Sequence, residues 1–150
     1  MGILLADSYG IFGVMSRLIH RLFVYGTLRS DYHHNAHSFI ARYFTMMGKA
    51  RVRGKLYDGG EYPAGVPDEK HFIAGELYQI RDDSEFSQAL QVLDEYEGSY
   101  DEPGEPALFR RELVDVEYNG SKVEAWIYWY NRSVAGQNWI ASGDILKTDF

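Results

Sequence analysis

The sequence predicts an α+β domain built on a small, mainly antiparallel, curved sheet or barrel. Three observations carry that reading. Twelve tyrosines and eight phenylalanines in 150 residues favour strands over helices. Several segments alternate apolar and polar residues with the period of a half-buried strand. Only one segment carries a full set of helix signals.

Taken in order, the first strand covers about 21–26, in "RLFVYGTLRS", where Gly26 and Thr27 break the apolar run. The polar stretch "SDYHHNAHSFIARYF" predicts a short helix. "KARVRGKLYD" alternates cleanly and reads as a strand ending at the turn pair Gly59-Gly60. "GGEYPAGVPDEK", with two prolines, reads as a loop, and "HFIAGELYQI" after it as a strand. The helix is signalled by the capping pair Asp82 and Glu85, by Phe86, Ala89, Leu90 and Leu93 at helical spacing, and by Gly98 as its stop. "LFRRELVDVEY" and "KVEAWIYWY" flank Asn119-Gly120, the strongest hairpin signal in the chain. The C-terminal "SGDILKTDF" is short and caps the fold.

One domain is expected over residues 21–150, because no linker, repeat or low-complexity tract interrupts it. Residues 1–20 read as an N-terminal extension, with Met15 as an alternative start just ahead of the first strand. That extension has no basic region before its apolar patch and Asp7 within it, unlike a secretory signal, and Ala6 breaks a myristoylation signal. The net charge of −7 argues against a nucleic-acid partner. No apolar run approaches a membrane span. The absence of cysteine excludes disulfides, thiolate metal sites and cysteine nucleophiles, and fits a cytoplasmic location. Neither a phosphate-loop ending nor a Gly-x-Ser-x-Gly elbow occurs. His33 and His37 lie one helical turn apart, and His34 is beside them. Two imidazoles without a carboxylate partner make a poor metal site, so neither metal nor cofactor is expected.

The helix supplies the one unusual carboxylate. Its apolar stripe passes Phe86, Leu90 and Leu93 and arrives at Glu97, whereas Asp94 and Glu95 fall on the face of Ser87 and Gln88, expected to be solvated. Partial burial and the negative end of the helix dipole both raise the pKa of such a carboxyl. A group poised this way both takes and gives a proton near neutral pH. The alternative is that the stripe drifts at a frayed end and Glu97 reaches water.

Two motifs together resemble the γ-glutamyl cyclotransferase-like family, which includes the γ-glutamylamine cyclotransferases and the plant avirulence-induced-gene-2-like proteins. The first is the Tyr-Gly-Ser/Thr-Leu signature after a strand, here Tyr25, Gly26, Thr27 and Leu28. The second is a glutamate before a glycine at a helix end, here Leu93 to Gly98, which maps the family's catalytic glutamate onto Glu97. Looser matches follow in the family's order, at 54–64, 75–80, 109–116 and 125–130. The first twenty residues and Ile145, where the family often has tryptophan, depart from the pattern.

The resemblance implies a small mixed β-barrel flanked by helices and a cyclotransferase that releases 5-oxoproline and a free amine from a γ-glutamyl amide. The substrate's own α-amine is the nucleophile, so the enzyme needs only an acid/base and a grip on the glutamyl head. Backbone N–H groups of Tyr25–Leu28 would supply the grip as an anion-binding concavity. Arg111 and Tyr128 fall in family-like strands and are further candidates for substrate binding; otherwise they are a solvated strand charge and a core aromatic. Tyr62 and Pro63 read as a pocket-edge loop. A non-catalytic module of the same fold that senses a γ-glutamyl or amino-acid-like ligand is the alternative. A structural interaction protein docking through residues 1–20 is another. The partner expected is a small γ-glutamyl molecule, and the sequence leaves its leaving group and the oligomeric state open.

Overall fold

Strand β1 (Arg21–Val24) alternates its side chains between two cores, and this alternation organises the molecule. The structure is a computed structural model that describes residues 19–30, 36–98 and 104–147. His33, His34, Met15 and nearly all of the N-terminal extension lie outside the described residues. After β1 come α1 (His37–Tyr43), β2 (Phe44–Asp58), β3 (Pro63–Ile80), a 3-10 turn at Asp83–Glu85, α2 (Phe86–Glu97), β4 (Phe109–Tyr118), β5 (Ser121–Tyr130) and the short β6 (Asn138–Trp139).

The strands neighbour one another in the order β3-β1-β5-β4-β2-β6, and an additional β2–β3 pairing closes the sheet on itself. Among the described residues only β1 and β5 run parallel, and the other pairings are antiparallel. Phe23 and Tyr25 join Val52, Leu56, Ile73, Leu77, Ile127 and Trp129 in a core that contains no helical residue and fills the closed sheet. Leu22 and Val24 face the other way, into a core shared with Ile40 of α1 and Phe86, Ala89, Leu90 and Leu93 of α2. The same period of two sends Ala125, Ile127 and Trp129 inward and Tyr128 and Tyr130 towards the helices.

The predicted helix is α2, its apolar stripe buried as expected and ended by Gly98 in the left-handed conformation at φ 68°. Asp82 caps the 3-10 turn that leads into it, accepting from the Ser84 amide. The Asn119-Gly120 turn is a two-residue hairpin with both φ values positive, at 51° and 78°. A difference arises at 63–70, read from sequence as loop but folded as the first half of β3. Pro63 tolerates this as the first residue of the strand, and Pro67 sits where the β2–β3 register shifts between Arg53 and Gly54. A missing N–H is least costly at these two kinds of position. Strand β2 likewise begins at Phe44, five residues before the alternating segment.

Gly75 marks the closest approach of β1 to β3, since a Cβ there would stand 2.2 Å from the Val24 carbonyl oxygen. Gly75→Ala is therefore expected to destabilise the fold by about 2–3 kcal/mol through overpacking. Chemical denaturation measures this as a lower midpoint; an unchanged midpoint would contradict the β1–β3 contact.

Candidate active site

The chain turns sharply after β1, and Tyr25 anchors the start of that turn. Its side chain follows Phe23 into the inner core, where the hydroxyl donates to the Tyr128 carbonyl at 2.6 Å and accepts from the Gly65 amide at 3.2 Å. Gly65 is required by this contact, because a Cβ would lie 2.7 Å from the Tyr25 ring. Burial, with the nearby Glu97 charge second, pushes the Tyr25 phenol far above its ordinary range, so it stays protonated. Gly26 packs against the Pro63 ring, and the Arg29 amide donates to the Gly26 carbonyl at 2.9 Å to close the turn. Among the described residues, the N–H groups of Gly26, Thr27 and Leu28 donate to no protein acceptor. Successive unpaired amides in a turn form a concavity suited to an anion.

Two buried charges hold the far end of the turn. Glu76 of β3, 1% exposed, accepts from the Ser30 amide at 2.7 Å, the Ser30 hydroxyl at 2.5 Å and the Tyr78 hydroxyl at 2.8 Å. Arg29, also 1% exposed, pairs with Asp144 at 3.0 Å. Neither residue stands out in the sequence as anything but a surface polar group; only the ladder register, which sets Glu76 opposite Val24, reveals it.

Glu97 arrives from the other core. It continues the buried stripe of α2 at the last turn of the helix and lines one cavity with Val24, Gly26, Leu28, Pro63 and Tyr128. About 370 Å³ of space lies within this cavity and its open mouth, with Tyr62 and Phe109 among its aromatic walls. Among the described residues no hydrogen bond or ion pair reaches the Glu97 carboxyl. Burial pushes it up to about 8. A carboxyl near neutrality facing unpaired amides across a small cavity is arranged for proton transfer beside a developing negative charge.

The structure thus brings Tyr25, Gly26, Thr27, Leu28, Tyr128 and Glu97 to one cavity, with Tyr62 and Pro63 at its wall. Arg111 is not in the lining. It grips Asp94 with two hydrogen bonds, of 2.9 and 3.1 Å, and stacks over Trp126. Tyr128 donates its hydroxyl to the same Asp94 at 2.6 Å. Asp94 is consequently mostly buried rather than on a solvated face, because Arg111 of β4 and Tyr128 of β5 both bond to it. Thr27 meets the Tyr96 hydroxyl at 2.9 Å, which ties the turn to the helix beside Glu97. His37 bonds the Leu28 carbonyl, and among the described residues no cluster of His, Asp and Glu could hold a metal ion. Among the same residues no helix is long and apolar enough to cross a membrane.

Comparison with known proteins fits this geometry. The family described as gamma-glutamyl cyclotransferase, AIG2-like, matches residues 22–147. A Niallia circulans protein named gamma-L-glutamyl-butirosin B gamma-glutamyl cyclotransferase is 35% identical over 112 residues, 74% of this chain and 67% of the relative. The Escherichia coli K12 gamma-glutamylcyclotransferase family protein YtfP is 32% identical over 130 residues, 86% of this chain and 98% of YtfP. Among solved structures, YkqA from Bacillus subtilis superposes with a TM-score of 0.61 at 27% identity over 83% of this chain. The chain spans 39% of the length of YkqA.

Keeping Glu97 in this cavity costs stability. In the unfolded chain the group titrates at 4.5 and in the fold at about 8, so folding becomes less favourable as pH rises between those values. Glu97→Gln removes the charge, and its Tm is expected to exceed that of the wild type by a margin that grows from pH 5 to pH 8. Below pH 4.5 the two should melt together. Thermal melts across that range measure the margin.

Proposed function

The chain belongs to the gamma-glutamyl cyclotransferase, AIG2-like family, and from that premise we propose that it cleaves a γ-glutamyl amide to 5-oxoproline and a free amine. The observation that carries this reading is the shared cavity of Glu97 and the unpaired Gly26–Leu28 amides. Ionised Glu97 takes a proton from the substrate's α-amino group, freeing the nitrogen lone pair. That nitrogen attacks the γ-carbonyl carbon, forming the C–N bond of a five-membered ring and placing negative charge on the carbonyl oxygen. The substrate holds its own nucleophile close, so most of the advantage is orientational. The amides of Gly26, Thr27 and Leu28 receive an anionic oxygen of the substrate, the α-carboxylate or the new oxyanion. As the tetrahedral centre collapses, protonated Glu97 gives its proton to the departing nitrogen and the C–N bond of the amide breaks. The regenerated Glu97 carboxylate then takes the second proton from the ring nitrogen and passes it to the free amine, so that 5-oxoproline and the protonated amine leave and Glu97 is ionised again. One carboxyl near pH 8 serves both steps.

Tyr128 supports the reading as a wall of the cavity, where it would meet the glutamyl head. The Niallia relative's name specifies γ-L-glutamyl-butirosin B as its substrate. For this chain the proposal extends to the γ-glutamyl head only.

The experiment is 5-oxoproline release from a panel of γ-glutamyl amides. Glu97→Gln is expected to lower kcat by about 10²–10⁴, the usual contribution of an acid/base group. It should still be stabilised against heat by added 5-oxoproline. Full activity in Glu97→Gln would exclude the mechanism. Stabilisation by ligand with no turnover in the wild type would favour a binding module instead.

A further inference from the structure

Arg111 is a permanent cation held by Asp94, one helical turn from the acid/base. Its guanidinium makes a two-pronged contact with that carboxylate, and Tyr128, a wall of the cavity, donates to one of the same oxygens. Asp94 lies three residues before Glu97, one helical turn back on α2. Arg111 comes from β4 and Tyr128 directly opposite it on β5, so both strands hold the last turns of the helix through one side chain.

We propose that the Asp94–Arg111 pair is a charge-cancelling clamp that positions the end of α2 on the β4–β5 hairpin and keeps the Arg111 cation from neutralising Glu97. The inference rests on the reading of Glu97 as acid/base, and makes Asp94 and Arg111 positioning residues.

Every other group facing Glu97 among the described residues is neutral near pH 7. Tyr25 and Thr27 face it from the segment after β1, Tyr62 from the turn before β3, Tyr128 from β5 and Tyr96 from α2 itself. Burial raises the Tyr25, Tyr96 and Tyr128 phenols, so none of them ionises there. Arg132, whose charge reaches Tyr62, is paired with Glu105. Glu61, whose charge also reaches Tyr62, lies beyond that ring. Asp94 and Arg111 are the charged pair tied to the cavity wall through Tyr128, and they carry opposite signs. Tyr128 links the two sites, since its hydroxyl bonds Asp94 while its side chain lines the cavity with Glu97.

The two halves of the clamp then predict opposite shifts. Asp94→Asn removes the anion and releases Arg111, so the Glu97 midpoint falls by about one pH unit, the usual effect of an unopposed cation. Arg111→Met leaves the anion unopposed, and the midpoint rises by a similar amount. The double variant returns it to near the wild-type value. The measurement is a carbon-13 NMR titration of the glutamate carboxyls in the ligand-free protein, with Glu97→Gln identifying the resonance. A purely structural pair would lower the melting temperature in both single variants and leave the midpoint unmoved, which overturns the proposal. Shifts of the same sign in both variants overturn it as well. Should Asp94→Asn fail to fold, Arg111→Met alone decides by the sign of its shift. Because the titration needs no substrate, an inactive wild type counts against the cyclotransferase reading and leaves this result standing.

Discussion

The buried carboxylate of Glu76 is the constraint on which the site depends. A charge removed from water is tolerated only when its hydrogen-bonding capacity is filled, and here Ser30 supplies an amide and a hydroxyl while Tyr78 supplies a second hydroxyl. Ser30 lies just beyond the turn, so satisfying Glu76 fixes where the turn must end. Arg29, buried against Asp144 and the Ala74 carbonyl, fixes the preceding residue to the C-terminal segment. With Tyr25 pinned at the other end, the three amides between have no conformational choice. A loop of this sequence in isolation would pair those amides with water; held at both ends, it keeps them open to a ligand.

Two different cores meet at this turn, and the meeting explains why the two functional parts lie so far apart in sequence. The inner core holds Tyr25, the outer core holds α2, and the strands, β1 among them, contribute to both. A helix packed on the outer face thus presents its last turn to a turn anchored on the inner one. Glu97 sits where a leucine would have completed the stripe. The fold loses hydrophobic contact there and gains a carboxyl that burial pushes up to about 8.

Much of this was legible in the sequence, and the exceptions have physical causes. Helix α2 could be read because its stripe and its glycine stop agree, and the β4–β5 hairpin because Asn119-Gly120 allows only one kind of turn. Glu97 could be singled out because one carboxylate interrupted an apolar period. The strand at Pro63–Lys70 could not be read, since prolines argue against strands unless the register of the partner is known. The burial of Arg29, Glu76 and Asp94 was hidden for a related reason. Local pattern treats a charge as solvated, and only pairing across strands shows which charges are matched in the interior. Arg111 illustrates the point: a family-like position suggested the substrate as its partner, and the folded chain supplies Asp94 instead.

The proposed reaction, in which the substrate carries its own nucleophile, would place unusual demands on the protein. No side chain need be made reactive, so selection acts on shape and on one proton. Shape is secured by rigid backbone: strand ends, a turn tied at both ends, and the Pro63 ring against Gly26. The proton is secured by leaving Glu97 without a partner in a place that disfavours its charge. These requirements conflict, since the polar clamps that fix the shape bring cations and anions close to the carboxyl that must remain uncompensated. The chain resolves the conflict by matching charges away from the cavity, Arg29 with Asp144 and Arg111 with Asp94, and among the described residues Glu97 has no such partner.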